Sequence, residues 1–503
     1  MHHEERPRTR LTAGKASTLL WLLTVWLVAF ASMSALTKPL TGAIGATCML
    51  LAVISGIDLR VGLWVALTAA LYDRYAYHWL WQYRSTFPPQ VHLVDLAAAG
   101  LLVGFLVRLL RRRVAFRWCW YDTAVAVLVA LLALSALRGL LAGWEHTLRN
   151  ARVIPSVAVY FPARQALAGA HPQRVIRLAL IYGFVICLLA GTLGWFTRVD
   201  TMRRGDILLP RLHRVTNIVG ILVIPGLALP AFVWLRRRRG AILPTLALLA
   251  SGAALAICNS RSAFAVLALS GPAFIVIVWL TMRQRSHVYS ASAALVVLAI
   301  GFSSVHAVDL GRRPRHLARY GFEGGTREWL TAISEDRAEA LRIDDEEAEF
   351  RSVVNRKQEM VCALPRSVKE FLIGRGMGAM MSFRGVDNAG NPAISRWSRV
   401  HNAYVYALYS AGFPAAALFL CLMVGAVLSA LRVALRGSRE IRPGAVCAFL
   451  VLATLSLAMN ATGMIFHYGA VWVSTALAIG VSWTAVTETS VNGPSAKKVG
   501  ATA

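Results

Sequence analysis

The sequence predicts an all-α polytopic membrane protein with 12 to 14 transmembrane helices. Apolar side chains make up 57% of the 503 residues, and long, mostly apolar runs recur along the chain. A run of about 18 or more such residues can cross a hydrocarbon core about 30 Å thick as a helix. The runs are continuous rather than alternating, so a helical bundle is favoured over a β-barrel.

Thirteen segments are candidate spans by length and hydropathy. They lie at about 18–36, 40–57, 61–82, 92–110, 120–142, 175–196, 214–235, 241–258, 262–281, 288–308, 401–431, 443–461 and 466–487. Basic clusters at the ends of these runs predict the cytoplasmic loops, since such loops carry an excess of Lys and Arg. The clusters lie at 111–113, 236–239, 283–285 and 432–442, and the basic tail at 497–498 is placed on the same side.

One crossing is missing from this set. Two cytoplasmic clusters must be separated by an even number of crossings, but only three candidate spans lie between 111–113 and 236–239. The segment 154–169 is the candidate for the fourth, and we expect a short, broken or re-entrant span because Pro155 and Pro162 interrupt it. Counting this segment gives 14 crossings, and pairing the N-terminal runs differently gives 12.

The same topology places residues 309–400 on the outer side of the membrane. More than half of the 25 acidic residues lie there, and its middle part has a helical period, which predicts amphipathic helices over the mouth of the bundle. We therefore divide the chain into four parts. They are an N-terminal transmembrane bundle (1–308), a helical outer segment (309–400), C-terminal transmembrane helices (401–487) and a disordered cytoplasmic tail (488–503).

The charge and the cysteines exclude several classes of function. The net charge of +28 arises largely from clusters at the ends of apolar runs, which indicates membrane topology rather than nucleic-acid binding. The acidic run 344–347 has no neighbouring His–carboxylate cluster, so we expect a solvated face and no metal. The seven cysteines stand singly, as buried apolar residues do, and predict no disulfide framework.

Arginines stand at two outer mouths of the bundle, where the topology rules do not require them. Arg261 lies in a short hairpin between two spans, and a second group precedes the span at 214–235. That group is Arg203, Arg204, Arg211 and Arg214. The guanidinium fork suits phosphate or diphosphate, so both places predict an anionic ligand. The alternatives are bonds from Arg261 to helix-end carbonyls and snorkelling of the second group at the interface.

A glycine string precedes the predicted span 401–431. Gly374 and Gly376 lie in the sequence FLIGRGMGAM and allow a tight turn beside a ligand. A plain turn is the alternative, and the lack of a following GK[ST] excludes a Walker-type phosphate loop.

His401 and Asn402 open the predicted span 401–431. A neutral imidazole at this depth can take a proton from a hydroxyl or hold an acceptor by a hydrogen bond. The alternatives are a helix cap and an anchor among the lipid headgroups. On one continuous helix His401 and Gly412 would share a face with Val405 and Leu408, because eleven residues make almost three turns.

These four patterns together resemble the O-antigen ligase/polymerase superfamily of bacterial envelope glycosyltransferases. The ligases carry H-[N/S/Q]-x9-G-x-x-[G/T/Y] after a large periplasmic loop, and His401, Asn402 and Gly412 match this pattern, whereas Ala415 departs from it. The glycine string is similar to the G-x-G that precedes the histidine, and SRSA at 260–263 is similar to the short Ser-Arg hairpin. The segment 211–217 resembles an Arg…Asn opening more loosely. The order of these patterns agrees over about 120–470.

The resemblance implies a GT-C-like bundle in the bacterial inner membrane with its active site facing the periplasm. The implied activity is a metal- and cofactor-independent, inverting transfer of polysaccharide from undecaprenyl diphosphate to a sugar hydroxyl of lipid A–core. His401 would be the base or would orient the acceptor, with Asn402 as helper. The arginines would neutralise the diphosphate. The supporting turn or helix contacts would be Gly374, Gly376 and Gly412.

Three other functions stay open at this point. An O-antigen polymerase would use another lipid-linked repeat unit as the acceptor, and a protein O-oligosaccharyltransferase would use a protein. A transporter or flippase for anionic lipids belongs to a different class. Transporters tend to place polar residues near the midplane of paired broken helices, whereas the polar groups here gather at one mouth.

Overall fold

A computed structural model describes most of the helical part of the chain. The described residues are 56–66, 93–111, 118–167, 176–188, 218–235, 240–258, 261–309, 358–437 and 442–461, with short gaps at 182, 186, 283, 387–391 and 399, and isolated positions between 27 and 54. Backbone contacts divide the chain into two units, Met1–Ala115 and Phe116–Ala503.

Helix α1 (Leu93–Leu110) is the longest described element of the first unit. It packs closely on the helical segment around Gly56, since a Cβ atom on Gly104 would lie 2.3 Å from the Gly56 carbonyl oxygen. Small residues let two helix backbones approach in this way, which is common between membrane helices.

In the second unit, helical residues are also described at 176–188 and 358–363, beside the numbered helices and one hairpin that follow. In order they are α2 (Trp120–Leu141), α3 (Thr147–Ala151), α4 (Val153–Ala158), α5 (Tyr160–Leu167), α6 (Ile218–Leu235), α7 (Ile242–Cys258), α8 (Arg261–Met282), α9 (Arg285–Asp309), α10 (Val368–Ile373), β1 (Met381–Val386), β2 (Pro392–Trp397), α11 (Ala403–Ala411), α12 (Phe413–Arg436) and α13 (Arg442–Ala461).

The helices confirm the predicted class of an all-α polytopic membrane protein. Among the described residues, three helices are long and apolar enough to cross a membrane: Trp120–Leu141, Arg285–Ser304 and Phe413–Arg436. Shorter apolar helices at 242–256, 267–282 and 442–457 accompany them. The spans predicted at 18–36, 40–57, 61–82 and 466–487 lie largely outside the described part of the chain, as does the second group of arginines.

Close backbone contacts hold the bundle of the second unit together. Helices α7 and α9 touch where a Cβ atom on Gly252 would lie 2.3 Å from the Leu298 carbonyl oxygen. Helix α2 is tied to α12 by a hydrogen bond of 2.9 Å from the Tyr121 hydroxyl to the Leu422 carbonyl oxygen. A buried polar group that is paired in this way avoids the cost of desolvation in an apolar surrounding.

The segment 147–167 is a broken helix that runs antiparallel to α2. Thr147 packs on Gly139 near the end of α2, whereas the Tyr160 hydroxyl donates a hydrogen bond of 2.8 Å to Asp122 near its start. Arg164 also pairs with Asp122. Val153 and Tyr160 are buried, as interrupted backbone at membrane depth requires. The broken helix lies in the segment where the basic clusters at 111–113 and 236–239 predict a short, broken span. That this segment crosses the membrane stays a prediction.

The predicted span 401–431 is divided into two helices. Helix α11 ends at Ala411, and Gly412 has a φ of +86° before α12 begins. Glycine adopts a positive φ with little steric cost, and this conformation of Gly412 interrupts the helix. Pro414 lies in the first turn of α12, where a missing N–H breaks no hydrogen bond.

The outer segment contains a hairpin as well as the helices that its sequence predicts. Residues 358–363 and α10 are helical, but β1 and β2 pair antiparallel with Met381 opposite Trp397. Met381 and Phe383 are buried while the intervening Ser382 is exposed, so this strand shows the alternation of a half-buried sheet. The helices expected at 329–357 lie outside the described residues.

Candidate active site

His401 lies directly before α11 and forms a close pair with Glu359. The His401 Nδ1 atom is 2.6 Å from Oε2 of Glu359, and the backbone N–H of His401 donates to Oε1 of the same carboxylate. Glu359 is buried, whereas the His401 side chain is 22% exposed. One buried carboxylate therefore fixes both the backbone and the ring of a histidine that remains accessible.

This pairing determines which nitrogen of His401 is available for chemistry. An ionised carboxylate only accepts hydrogen bonds, so a neutral His401 ring paired with it would hold its proton on Nδ1 and keep the lone pair on Nε2. A neutral imidazole oriented in this way can accept a proton from a hydroxyl group, and the carboxylate stabilises the charge that forms on the ring.

Asn402 is the N-cap of α11. Its side-chain oxygen accepts hydrogen bonds from the backbone N–H groups of Tyr404 and Val405 at 3.0 and 3.1 Å. The cap satisfies two donors that a helix start leaves without partners. Asn402 therefore holds the start of the helix that follows His401, and the helper role in catalysis stays a prediction.

The prediction that His401 and Gly412 share one helix face is wrong. The cap at Asn402 has an extended backbone, with φ −116° and ψ 122°, so the helix starts at Ala403 and His401 precedes it. Gly412 lies beyond the other end of α11. A periodicity argument assumes continuous helix, and capping at both ends removes that condition.

Trp397, the last residue of β2, lies beside His401. The two ring centroids are 5.1 Å apart and the ring planes make an angle of 50°. The chain between them is anchored by Asn150 of α3, whose Nδ2 donates a hydrogen bond of 3.0 Å to the Ser398 carbonyl oxygen. The broken helix thus holds the approach to His401 in place.

The glycine string forms a turn that is bonded to the end of α11. The backbone N–H groups of Arg375 and Gly376 donate to the Tyr409 and Ser410 carbonyl oxygens at 2.7 and 2.8 Å. These are carbonyls that a helix C-terminus leaves without partners. These hydrogen bonds give the string a structural role as a turn, and the binding of a ligand beside it stays a prediction.

Gly374 and Gly412 touch at the same place. Their φ angles are +69° and +86°, and a Cβ atom on Gly374 would lie 2.6 Å from the Gly412 nitrogen. Arg138 at the end of α2 donates to the Gly374 carbonyl oxygen and, at 3.4 Å, to that of Ile373. The predicted supporting glycines are thus brought together behind α11.

Arg261 begins α8 at the end of the bundle where His401 lies. Arg442 donates a hydrogen bond of 3.0 Å to the Thr281 carbonyl oxygen, which ties the last turn of α8 to the first turn of α13. The two helices pack on each other and are antiparallel, because the end of α8 meets the start of α13. The start of α8, at Arg261, therefore lies towards the end of α13. About 21 Å along α13, the Ser456 hydroxyl is 2.9 Å from that of Tyr404, near the start of α11.

The remaining predicted cations cannot be located in the same way. The side chain of Arg261 lies outside the described residues, and so do Arg203, Arg204, Arg211 and Arg214. Their binding of a diphosphate stays a prediction. Among the described residues, no group of three or more His, Cys, Asp or Glu side chains lies close enough to hold a metal ion.

Three residues of the site were missed by the sequence analysis. Glu359 stands beside the apolar run MVCAL, where an isolated carboxylate signals a buried partner. Arg138 lies in the last turn of α2, at the end that the predicted topology places outside, where the positive-inside rule does not require an arginine. Trp397 lies in the alternating stretch PAISRW, which follows the turn-type residues Asp387 to Asn391 and is typical of a hairpin.

The pair of Glu359 and His401 lies beside an apolar helical bundle, and an imidazole held by a carboxylate can accept a proton from a hydroxyl group. Residues 246–420, which include Glu359, the glycine turn and His401, match the family described as O-antigen ligase. This match supports the O-antigen ligase/polymerase superfamily and implies a glycosyltransferase-like enzyme that uses lipid-linked polysaccharide and lipid substrates. No curated protein matches the chain.

Proposed function

We propose that the protein is an O-antigen ligase. It transfers O-antigen polysaccharide from undecaprenyl diphosphate to a sugar hydroxyl of lipid A–core at the periplasmic face of the bacterial inner membrane. The family match over 246–420 supports this type of activity. The order of His401, Asn402 and Gly412 favours the ligase over its relatives in the superfamily, because the resemblance to the ligases rests on it.

The observation that carries the proposal is the 2.6 Å contact between His401 and Glu359. A transfer to a hydroxyl needs a group that accepts its proton as the new bond forms, and general bases of this kind contribute about 10²- to 10⁴-fold to the rate. The buried Glu359 orients the imidazole with Nε2 directed away from the carboxylate. This arrangement suits the role of His401 as the base.

The proposed reaction is a single displacement. The acceptor oxygen attacks the anomeric carbon of the donor sugar while Nε2 of His401 takes the hydroxyl proton. The bond from that carbon to the diphosphate oxygen breaks, and its electron pair leaves with undecaprenyl diphosphate. The imidazolium then loses its proton to solvent. One displacement of this type inverts the anomeric configuration, which agrees with an inverting transferase.

Arginines are proposed to stabilise the leaving diphosphate. The start of α8 lies at the same end of the bundle as His401, which supports a role for Arg261 in this step. Arg203, Arg204, Arg211 and Arg214 are proposed to contribute at the same mouth. Fixed positive charge at the developing diphosphate would do part of the work of a divalent ion in other transferases.

A second candidate within the superfamily is the O-antigen polymerase, which uses the same donor. Ala415 favours it, because this residue departs from the ligase pattern. A protein O-oligosaccharyltransferase shares the donor as well. A transporter is disfavoured by the pair of His401 and Glu359, since moving an anionic lipid requires no oriented base.

Deletion of the gene tests the proposal against its alternatives. Loss of a ligase leaves full-length chains on the lipid carrier and none on lipid A–core, whereas loss of a polymerase leaves a single repeat on the core. We expect the first pattern, with rescue by the wild-type protein and none by His401→Ala. A single repeat on the core would assign the polymerase, and unchanged lipopolysaccharide would reject both.

A further inference from the structure

Trp397 is an exposed aromatic residue beside His401, and it has no role in the proposed proton transfer. The Trp397 side chain is 38% exposed, although Met381 opposite it in the hairpin is buried. Its indole does not stand alone in solvent, because the imidazole lies 5.1 Å away at an angle of 50°. The two rings therefore lie side by side at an angle, and together they form a partly exposed corner.

We propose that Trp397 is the stacking platform for the acceptor sugar. The apolar C–H face of a pyranose packs on the flat face of an aromatic ring, and contacts of this size contribute to binding beyond the buried area alone. A sugar seated on the indole presents its edge to the adjacent imidazole. Trp397 thus selects a sugar acceptor and brings its hydroxyl to His401. This inference rests on the proposed glycosyl transfer.

The hairpin gives the platform its position. The register of Met381 with Trp397 places the indole on the buried face of the ribbon, and Phe383 packs near it with ring centroids 6.5 Å apart. Asn150 holds Ser398 on the other side. The indole is therefore fixed before the acceptor binds, which reduces the entropy lost on binding.

Steady-state transfer to purified lipid A–core by the full chain in proteoliposomes tests the platform. Trp397→Leu, which keeps an apolar side chain but no flat face, should raise the KM for the acceptor about five- to tenfold. The KM for the donor and the pH profile of kcat should stay unchanged, and Trp397→Phe should restore the acceptor KM to within about twofold. Ile394→Ala, on the opposite face of the hairpin, is the matched control and should change neither KM.

Other outcomes would overturn the inference. If Trp397→Leu alters kcat and the pH profile while both KM values stay constant, Trp397 only supports His401. If Leu and Phe behave alike, stacking makes no contribution. If the wild type transfers glycan and the Trp397 variants have the same acceptor KM, the platform is rejected but the proposed function is not. Absence of transfer by a folded wild type rejects the proposed function, and the platform with it.

A second inference concerns α10 and does not depend on the proposed function. Every residue of this short helix is at least partly exposed, and its apolar side chains include Val368, Leu372 and Ile373. The Phe371 ring stacks on Phe413 with centroids 4.8 Å apart. Phe413 is the first residue of a candidate membrane span, so α10 lies at the level where that span begins.

We infer that α10 is seated in the headgroup and upper acyl region of the bilayer where α12 begins. Its apolar face continues the apolar surface of α12 through the stacked phenylalanines. Arg366 and Lys369 supply positive charge beside that face, which suits anionic phospholipid. Apolar side chains exposed to this extent would be costly in water but are stabilised in the lipid interface.

Photo-crosslinking tests this placement with a closely matched pair. Val368 is 76% exposed on α10, and Ile394 is 74% exposed on the hairpin. p-Benzoylphenylalanine at position 368 should form phospholipid adducts in vesicles of phosphatidylethanolamine and phosphatidylglycerol, as detected by intact mass, and the same residue at 394 should not. Equal adducts at both positions, or none at 368 in a folded protein, would overturn the inference.

Discussion

His401 is restrained at its backbone and at Nδ1. Glu359 supplies both contacts. Side chains that act in chemistry are held by neighbours in this way, because orientation accounts for much of their effect. We therefore treat Glu359 as a positioning residue for His401.

Glu359→Gln should lower kcat for glycan transfer by roughly 100-fold while the protein remains folded. The amide keeps the size of the side chain but has no charge to stabilise the imidazolium. The KM for the acceptor should change less than about twofold, since Glu359 is buried behind His401. Glu359→Asp, which restores the charge at a shorter reach, should recover part of the rate. A Gln variant with wild-type kcat would exclude this role.

Gly374→Ala should destabilise the protein by about 3 kcal/mol or more, as measured by thermal unfolding in detergent. A methyl group there would add left-handed strain and would lie 2.6 Å from backbone atoms of Ser410 and Gly412. Gly143 is the control: its φ is also +69°, but nothing lies within 4 Å of a Cβ atom there. Gly143→Ala should cost only about 1 to 2 kcal/mol. Equal losses would show that the close contact is unimportant.

The residues of the site differ in how far a sequence can reveal them. His401 and Asn402 could be found because both belong to a local pattern at the start of an apolar run. Glu359 could not be assigned to His401, since 42 residues separate them and only the tertiary structure brings them together. A long-range pair leaves no periodicity in the sequence.

At the scale of elements, hydropathy located the helices well but not their interruptions. The predicted span 401–431 contains α11 and most of α12, because apolar content does not change across Gly412. The break depends on one left-handed residue and on carbonyls that the glycine turn satisfies. Gly412 followed by Pro414 was the local signal of a helix end and a new start.

The link between α10 and the glycine turn should weaken in acid. Burial alone would raise the pKa of Glu370, but the Arg366 backbone N–H and the Arg375 guanidinium outweigh it and lower that pKa below its usual range. A carboxyl whose pKa is lower in the folded state stabilises the fold at a pH above its pKa in the unfolded state. This stabilisation is lost as the pH falls through its pKa in the folded state.

Thermal unfolding of the wild type and Glu370→Gln at two pH values measures this effect. At about pH 7 the variant should be less stable by up to roughly 1 kcal/mol, as expected for a partly exposed pair. At about pH 3 the difference should shrink because the wild-type carboxyl is then becoming protonated. A difference that stays constant or grows in acid would contradict the assigned pairing.

For the whole molecule, the charge clusters and the apolar runs predict different numbers of crossings between 111–113 and 236–239. Hydropathy alone gives no span at 147–167, because prolines and Arg164 interrupt the segment. The parity of basic clusters required it, and the structure has a broken helix antiparallel to α2 there. The number of spans near both termini stays a prediction, because those residues lie outside the described part.

Reporter fusions test this topology. Alkaline phosphatase fused after Gly143 should be active, since α2 is predicted to end on the outer side. A fusion after Gly169 should be inactive because the broken helix has returned the chain to the cytoplasm. A fusion after Arg237, in the basic cluster at 236–239, serves as the inactive control. Equal activity at 143 and 169 would mean that the segment does not cross.

The start of α8 and the start of α11 share one end of the bundle, and we propose that Arg261 and His401 serve the same reaction there. Glycan transfer from undecaprenyl diphosphate to lipid A–core by the purified protein in proteoliposomes tests this arrangement most directly. The wild type should be active in the presence of a chelator, and His401→Ala should lose at least about 100-fold in rate while remaining folded. Full transfer by His401→Ala would contradict the assignment of this site.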